Sequence, residues 1–376
     1  MPKLDITIFR DFVEDGRTSM EIYADNLGES LNILVNNQFV INMYQPHIPT
    51  WVKAIPKKLN LRMRAARYCA YPFQAKAKQG TINHIIDHSY AHLLQVLDPK
   101  RSIVTVHDII PQLAWKGVIP GLTYPHKPFL NKLSLGFLKE ARAVIAVSQN
   151  TKRDLVNHCG LQEERITVVH NGLNTIFRPE SEERRATLRQ GLKFPDSGTL
   201  LILITGNQSY KNHITSLRVI ERLQTICRKP IQLVSLGADN TELDNYLAKI
   251  NLNNPLIRLD GINKQSMVDL YNSVDCLLFP SWYEGFGWPP LEAMACGTPV
   301  VTSNVASLPE IVGDAALMAA PDDVENLTEA VRIMLEDRDR RKEFVESGLK
   351  NTTRFTWEHC ASEVAALYQK ILVTSY

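Results

Sequence analysis

The sequence of 376 residues lacks the features of several specialised protein classes. It has no run near the roughly 20 apolar residues that a helix needs to cross a bilayer. Its first residues include acids and no long apolar core, so we expect no signal peptide. It has no low-complexity segment, and its formal net charge of +2 gives no reason to expect a nucleic-acid partner. These absences predict a globular protein of the cytoplasm.

The cysteines also lack a pattern, since no two of them have the C-x-x-C spacing typical of zinc or redox sites. We interpret all of them as reduced thiols packed in the interior of a cytosolic protein, and we assign none to a metal or to catalysis. They are Cys69, Cys159, Cys227, Cys276, Cys296 and Cys360.

Apolar runs of strand length alternate with segments of helical spacing along the chain, which predicts an α/β protein with parallel sheets. A chain of this length predicts two domains of similar size. The polar, charged segment 174–196 is interpreted as the linker between them. The predicted strands are 4–9, 85–87, 103–106, 144–147, 166–169, 200–205, 231–236, 256–259, 276–279, 299–302 and 315–318.

The segment 279–301 has the most informative pattern. A predicted strand is followed by a loop that contains Gly285 and Gly287, and then by a predicted helix. The glycines let backbone N–H groups approach a ligand, and the helix start adds partial positive charge that suits a diphosphate. Glu284 and Glu292 could accept hydrogen bonds from sugar hydroxyls. They could equally be a capping residue and a solvated residue on the helix, and the spacing alone leaves both interpretations open.

Other polar residues follow predicted strands, where ligands bind in open α/β sheets. His107 stands at such a strand end and could contact a ligand or be a structural histidine. Gly206 and Asn207 follow another strand, and Lys211 precedes a helix, where its charge would suit a diphosphate. The loop after the first strand contains Gly16, which alone is a weaker indication.

His84, His88 and His92 recur at intervals of four, which on a helix would give a conceivable metal site. The residues 85–87 between them are more typical of a short buried strand, which would break the helical geometry. We therefore expect no metal there.

Residues 51–80 contain no Asp or Glu, and their basic residues are interleaved with aromatic ones. Three interpretations compete: a solvated basic face, a surface attracted to anionic lipid, and an RNA-binding patch. No RNA-binding motif accompanies the stretch, so we rank RNA last and expect no nucleic-acid partner. The basic residues are Lys53, Lys57, Lys58, Arg62, Arg64, Arg67, Lys76 and Lys78, and the aromatic ones are Trp51, Tyr68, Tyr71 and Phe73.

The segment 284–301 resembles the signature of the retaining, nucleotide-sugar-dependent glycosyltransferases with the GT-B fold, often called family four. The similarity rests on Glu284-Gly285-Phe286-Gly287, Glu292 and the run Ala293 to Val301. It continues through 307–310, 313–316 and 355–357. Upstream, the residues in the family's order are His107-Asp108, Ser148, Asn171-Gly172 and Lys211-Asn212.

The resemblance implies two Rossmann-like, doubly wound parallel-sheet domains that face each other across a cleft. Residues 1–178 would form the acceptor-binding domain and 179–355 the nucleotide-sugar-binding domain. Residues 356–376 would form a helix that packs back toward the first domain.

The resemblance also implies roles for particular residues. Glu284 would hold hydroxyls of the donor sugar, Glu292 the ribose, and Lys211 the leaving diphosphate, while His107 would contact the donor sugar beside the reacting centre. The implied catalytic residues are His107, Glu284 and Lys211. The implied donor site consists of Gly16, Ser19, Gly206, Asn207, Lys211, Gly237, Ile262, Glu284, Gly285, Phe286, Gly287, Trp288 and Glu292.

The implied activity is transfer of a hexose, mannose or glucose, from a GDP- or UDP-linked donor to a hydroxyl of a saccharide or lipid-linked acceptor. Configuration would be retained by same-face attack, and no metal or other cofactor would be required. Two alternatives stay open: an epimerase or phosphorylase of the same fold, and a non-catalytic nucleotide-sugar-binding scaffold. Separately from the resemblance, the basic and aromatic residues of the stretch 51–80 lead to the hypothesis that it docks peripherally on an anionic membrane or on an anionic lipid acceptor.

Two departures from the family pattern concern the phosphates. Tyr210, rather than an arginine, precedes Lys211, so the leaving group would rely on Lys211, the helix start, or another residue such as Arg218. Thr18-Ser19 stand where the family favours a Gly-Gly pair.

Overall fold

The computed structural model describes residues 4–35, 38–56, 60–122, 129–195, 198–237 and 241–373. The chain divides into two compact units. The first unit consists of Met1–Lys116, Tyr124–Gly172 and Thr356–Tyr376, and the second of Gly117–Thr123 and Leu173–Phe355. The chain thus returns to the first unit for its last helix.

Strands and helices alternate through most of the described chain. The strands are β1 Leu4–Phe9, β2 Phe39–Tyr44, β3 Ile82–Ile85, β4 Ser102–Val106, β5 Ala143–Ala146, β6 Ile166–Val168, β7 Leu200–Thr205, β8 Ile231–Leu236, β9 Ile257–Leu259, β10 Cys276–Phe279, β11 Val300–Ser303 and β12 Leu317–Ala319. The helices are α1 Thr18–Val35, α2 Thr50–Lys53, α3 Leu61–Ala65, α4 Tyr71–Ala77, α5 Ile110–Trp115, α6 Phe129–Phe137, α7 Gln149–Cys159, α8 Glu182–Gly191, α9 His213–Ile226, α10 Thr241–Leu247, α11 Lys264–Ser273, α12 Trp288–Ala295, α13 Leu308–Val312, α14 Val324–Glu336, α15 Arg338–Thr352 and α16 Trp357–Val373.

The first unit has a six-stranded parallel sheet in the order β2-β1-β3-β4-β5-β6. The chain runs from β1 outward to β2 on one side, and from β3 outward to β6 on the other. The central strands are buried on both faces, as is typical of a parallel sheet covered by helices.

Helix α16 is tied into the first unit by buried polar and aromatic contacts. The His84 ring of β3 lies between two hydroxyls, with 2.7 Å from Nδ1 to Tyr368 Oη of α16 and 2.7 Å from Nε2 to Thr105 Oγ1 of β4. Gly172 lies directly against Trp357, where a Cβ would come within 2.5 Å of the indole ring. Only glycine fits at that junction without displacing the start of α16.

The second unit has a six-stranded parallel sheet in the order β12-β11-β10-β7-β8-β9. One apolar cluster packs on one face of this sheet, including Leu201, Leu277 and Met294. A second cluster packs on the other face, including Ile202, Leu278 and Val331. Successive residues of β7 and β10 therefore alternate between two cores, which explains why these strands are apolar throughout.

The predicted α/β class with two parallel-sheet domains is confirmed, but several local predictions were wrong. The supposed linker 174–196 contains α8, whose first turn is capped by the Ser181 hydroxyl accepting from Arg184 N. Its polar composition reflects an exposed helix that buries Leu188. Cys69 is exposed rather than packed inside, and Cys159 and Cys227 are only partly buried.

The remaining differences concern missed or shifted elements. Strand β2 and several helices, including α5, α6, α10 and α15, were not predicted, and β3 spans Ile82–Ile85 rather than 85–87. The first unit reaches Gly172 before the chain crosses, whereas the sequence suggested a boundary at 178. Phe177 belongs to the core of the second unit.

Candidate functional site

The predicted donor residues of the second unit gather where its sheet changes direction. β7 and β10 are neighbours, yet the chain runs from β7 toward β9 and from β10 toward β12 on the opposite side. The loops after these two strands therefore diverge at the carboxyl edge of the sheet. Such a switch point is where ligands bind in open α/β folds.

Two glycines bring the loops after β7 and β8 close together. Gly206 has φ +89°, and a Cβ there would lie 2.9 Å from Lys211 Cε. Gly237 has φ +144°, and a Cβ there would lie 2.9 Å from the Gly206 carbonyl. A side chain at either position would be strained and crowded, so both positions require glycine. The backbone of these two loops is therefore not covered by side chains of its own.

Asn212 and His213 fix the end of the loop that carries Lys211. The Asn212 amide donates to Pro280 O at 3.0 Å and to Pro321 O at 2.7 Å, which joins this loop to the one after β10. The His213 ring donates from Nε2 to Gly206 O at 2.7 Å. Because burial lowers the pKa of His213, the ring is neutral at pH 7 and acts as a positioning group.

Lys211 and Glu284 form an ion pair at the junction of these loops. The distance from Lys211 Nζ to Glu284 Oε1 is 2.8 Å, and the two side chains are only 11% and 10% exposed. The ammonium also lies 4.7 Å from the centre of the Phe279 ring, a cation–π distance. A cation and a carboxylate are thus held in a poorly hydrated site beside the glycine loops.

The loop that carries Glu284 is held by backbone contacts. Ser307 Oγ lies 3.0 Å from Glu284 O and 2.7 Å from Phe286 O, so one hydroxyl supports both carbonyls. Gly287 has φ +110° and is the N-cap of α12, and its missing Cβ leaves room for Leu308. The Phe286 and Trp288 rings meet edge to face, with centroids 6.2 Å apart. Gly285 and Phe286 are buried, whereas Trp288 is half-buried.

Glu292 lies on α12 and faces Tyr271 of α11. The Tyr271 hydroxyl donates to Glu292 Oε2 at 2.9 Å. Burial raises the pKa of Glu292 to about 7, while the Tyr271 hydrogen bond acts in the opposite direction. Glu292 is therefore a carboxyl group that gains or loses its proton near neutral pH.

Asn207 and Ile262, the other predicted donor residues of the second unit, differ in their exposure. Asn207 is exposed in the loop after β7, and Ile262 is partly buried against the core. Arg218 does not extend the lysine site, because its Nε donates to Tyr246 of α10 at 3.3 Å. The structure brings Gly206, Lys211, Gly237 and Glu284 together, with Glu292 held separately by Tyr271.

The predicted residues of the first unit lie at the carboxyl edge of their own sheet. His107 follows β4, and its Nε2 donates to Ile86 O at 2.9 Å, which leaves Nδ1 without the proton in the neutral ring. Burial lowers the pKa of His107, so the ring is neutral at pH 7. Gly16 has φ +64° and ends a short 3-10 turn, and Ser19 is exposed in the first turn of α1.

Sequence reasoning missed an ionic cluster in the same unit. Arg17 pairs with the buried Asp87 and lies 3.7 Å from Asp11. Burial and the negative charge of Asp87 raise the pKa of Asp11 well above its usual range. Asp11 follows β1 and Asp87 follows β3. Polar residues directly after two strands were therefore the sequence feature that could have predicted this cluster. No comparable feature of the sequence indicated that Tyr271 would contact Glu292.

The three histidines spaced by four residues do not share a face. His84 is in β3, and His92 donates from Nε2 to Arg67 O at 2.9 Å. His88 lies beside Asp87, with 3.2 Å from its Nδ1 to the carboxylate. Within the described ranges, no three His, Cys, Asp or Glu side chains are grouped as metal ligands would be. Across the same ranges, no helix combines the length and apolarity that crossing a bilayer requires.

Comparison with known proteins gives two family matches. Residues 184–371 match the family described as Glycosyl transferases group 1, and residues 37–177 match Glycosyltransferase Family 4. The first match spans half of the chain and contains Lys211, Glu284 and Glu292.

Individual relatives and solved structures agree with these matches. The chain is 27% identical to O-antigen chain mannosyltransferase B of Escherichia coli, over 72% of this chain and 70% of the relative. It is 24% identical to MMP alpha-(1->4)-mannosyltransferase of Mycolicibacterium hassiacum, over 86% and 78%. The Anabaena protein Alr3699/HepE, solved with UDP-glucose, has a TM-score of 0.74 and 15% identity over 98% of this chain and 100% of that structure. That likeness establishes the fold alone.

The family predicted from the resemblance is therefore confirmed, and the fold is that of the GT-B glycosyltransferases. From the site geometry and these matches together, we conclude that this chain is a hexosyltransferase that belongs to the Glycosyl transferases group 1 family.

Proposed function

We propose that the protein transfers a hexose from a nucleotide diphosphate sugar to an acceptor hydroxyl with retention of configuration and without a metal. The observation that carries the proposal is the Lys211–Glu284 pair at the switch point of the second unit. A cation beside open glycine backbone suits a diphosphate, and a fixed carboxylate suits sugar hydroxyls.

In this proposal Lys211 leaves part of its interaction with Glu284 and stabilises the charge that develops on the leaving diphosphate. The bond from sugar C1 to the phosphate oxygen breaks, and a bond from C1 to the acceptor oxygen forms on the same face. The acceptor proton passes to the departing diphosphate oxygen, so no enzyme nucleophile is required. Glu284 orients the sugar, and Glu292 accepts hydrogen bonds from the ribose. The role of His107 stays a prediction.

Mannose is the first sugar to test, with GDP as its carrier, because the two relatives named above are mannosyltransferases. UDP-glucose is the second, since Alr3699/HepE was solved with it. The acceptor is a saccharide or a lipid-linked saccharide. An epimerase or phosphorylase would use the same donor geometry, and a scaffold would bind the donor without turnover.

The direct test is release of nucleoside diphosphate from GDP-mannose, UDP-glucose and ADP-glucose, with and without simple mannosides as acceptors and with EDTA present. We expect one donor to be consumed, an α-linked product, and no loss of rate in EDTA. Conversion of the donor sugar without transfer would favour an epimerase, and phosphate-dependent release of a sugar phosphate would favour a phosphorylase. Binding without any turnover would favour the scaffold, and each of these outcomes would overturn the proposal.

The proposal includes peripheral contact with an anionic membrane through part of the stretch 51–80. Trp51 and Phe73 are 56% and 79% exposed, and Lys53, Lys76 and Lys78 are exposed near them in sequence. These residues offer apolar side chains together with cations, which favours an anionic lipid surface. Lys57 and Lys58 lie outside the described residues.

Reversing the charge of Lys53, Lys76 and Lys78 to Glu is expected to weaken binding to phosphatidylglycerol vesicles at least about a hundredfold. The basis is roughly 1 kcal/mol for each basic residue near an anionic surface. Co-sedimentation with vesicles measures the effect. The matched control reverses the exposed Arg338, Arg340 and Lys342 of α15. Equal loss of binding in both variants would show only a non-specific effect of net charge.

A further inference from the structure

The ring of His107 is held at two points inside the first unit. Its Nε2 donates to Ile86 O at 2.9 Å. The Tyr23 ring of α1 also meets the imidazole edge to face, with the ring centroids 4.8 Å apart and the ring planes at 84°. This geometry is typical of a favourable aromatic pair. His107 is therefore restrained both by a hydrogen bond and by an aromatic ring.

The hydrogen bond alone would leave the imidazole free to tilt. The χ2 torsion of histidine has broad minima, because it joins a tetrahedral carbon to a planar ring. The contact of Nε2 with Ile86 fixes one atom of the ring, whereas the place of Nδ1 depends on what packs against the ring. A second ring that stands perpendicular to the imidazole opposes the tilt. Tyr23 therefore supplies the restraint on the orientation of the His107 ring.

Tyr23 is itself fixed by neighbours on β4 and α16. Its side chain is fully buried, and its ring packs edge to face against Trp357 of α16, with centroids 5.8 Å apart. Its hydroxyl lies 3.3 Å from Thr105 Oγ1 of β4. The same Thr105 oxygen lies 2.7 Å from Nε2 of His84, whose Nδ1 contacts Tyr368 of α16. Because Tyr23 is held at both its ring and its hydroxyl, it can hold another group in place.

Tyr23 and these neighbours act on His107 without a charge of their own. Burial raises the pKa of Tyr23, so its hydroxyl keeps its proton. Burial lowers the pKa of His84 to about 3, so that ring is uncharged at neutral pH. The effect of Tyr23 on His107 is therefore one of packing and exclusion of water. The groups whose charges act on His107 are Asp87, Asp108 and His88.

We propose that Tyr23 is a positioning residue for sugar transfer, which holds the His107 ring in the orientation that the reaction requires. The inference rests on the proposed function, because His107 is the group predicted to contact the donor sugar beside the reacting centre. It also gives α16 a part in the reaction, since Trp357 of that helix packs on the Tyr23 ring. Misplacing a reacting group by about 1 Å can cost on the order of 10² in rate, so a buried residue can limit kcat.

The first test follows the His107 ring by NMR during a pH titration of the full chain without donor, with His107→Gln used to assign the signal. Tyr23→Leu removes the aromatic contact and lets water approach, so the His107 pKa, which burial lowers, should rise toward its ordinary value. Tyr23→Phe keeps the ring and should keep the wild-type pKa. The matched control is Tyr71→Leu, which truncates a fully buried tyrosine that packs among other aromatic rings of the same unit. It should lower Tm without changing the His107 pKa.

The second test measures turnover with the donor identified by the panel. Tyr23→Leu should lower kcat about tenfold or more and change the donor KM less than about threefold, because the ring orientation matters for the reaction more than for donor binding. Tyr23→Phe should retain most of the rate. Added to His107→Gln, Tyr23→Leu should lower kcat no further, since two changes that remove the same function do not add.

Three results would overturn the inference. They are a His107 pKa that Tyr23→Leu leaves unchanged, an equal loss of kcat from Tyr23→Leu with and without His107, and a wild-type rate in His107→Gln. In the last case the transfer reaction itself would stand. Failure of the proposed function is seen separately, as a wild-type protein that turns over no donor, and the NMR titration, which needs no donor, then decides whether Tyr23 positions the ring.

Discussion

Replacing Lys211 with Met should lower kcat for sugar transfer by roughly 10²–10³, the loss typical when one group that stabilises developing charge is removed. The donor KM should change much less, because the ammonium acts most strongly on the charge that develops as the diphosphate departs. Steady-state kinetics with the donor identified by the panel provide the measurement. Lys211→Arg should retain part of the rate, since it keeps the charge but alters its position.

Stability separates this catalytic loss from structural damage. Lys211→Met removes the cation that pairs with Glu284 in a site where the Glu284 side chain is only 10% exposed, so Tm should fall. The double variant Lys211→Met with Glu284→Gln should recover much of the Tm but none of the activity. Lys249→Met removes an exposed lysine of the same unit and is the matched control. A double variant that regained activity with Tm would show that Lys211 only neutralises Glu284.

The sequence predicted the frame of the second unit well because its strands carry continuous apolar runs. β7, β8 and β10 are buried along their whole length, and each is followed by glycine or proline. The carboxyl ends of these strands could therefore be predicted from the sequence. The positions of Gly206 and Gly237, directly after strands, also indicated loops in which two backbone segments approach closely, as the structure shows. These positions follow from local pattern alone.

The parts that the sequence did not reveal depend on distant contacts. β2 alternates buried and exposed residues weakly, and only its pairing with β1 makes it a strand. The polar composition of α8 suggested a linker because a helix that buries only Leu188 has little apolar periodicity. A cavity of the first unit is lined by residues from five separate parts of the chain, including Arg17, Tyr68 and Asn131, and no spacing in the sequence predicts this arrangement.

At the proposed donor site, Tyr271 is a second example of a residue whose role depends on distant contacts. It lies 21 residues before Glu292 and belongs to a different helix, yet its hydroxyl donates to the Glu292 carboxylate. The sequence could suggest Glu292 as a ribose ligand by resemblance, but not that burial sets its pKa to about 7. The protonation state of this residue is a property of the packed structure.

Donor affinity should therefore strengthen with pH across neutrality. If the ionised Glu292 accepts the ribose hydroxyl hydrogen bonds, affinity at pH 6 should be about tenfold weaker than at pH 8, given a pKa of about 7. Intact nucleotide sugar is the ligand to use, because its diphosphate lacks the terminal phosphate that titrates near pH 6. Burial lowers the pKa of His213 from its ordinary value, which moves the titration of that ring toward lower pH and away from the expected midpoint near 7.

Three variants decide whether Glu292 is responsible. Glu292→Gln should bind the donor at least tenfold more weakly at pH 8 and show no change with pH. Tyr271→Phe removes a hydrogen bond that lowers the Glu292 pKa. The pH midpoint of the change in donor affinity should therefore be higher in this variant. Without donor, the raised pKa means that the folded state holds the Glu292 proton from about pH 4.5 to 7, so stability should fall as pH rises through this window. Glu292→Gln should abolish that fall in Tm, and a wild-type pH profile in the variant would assign the proton to another group.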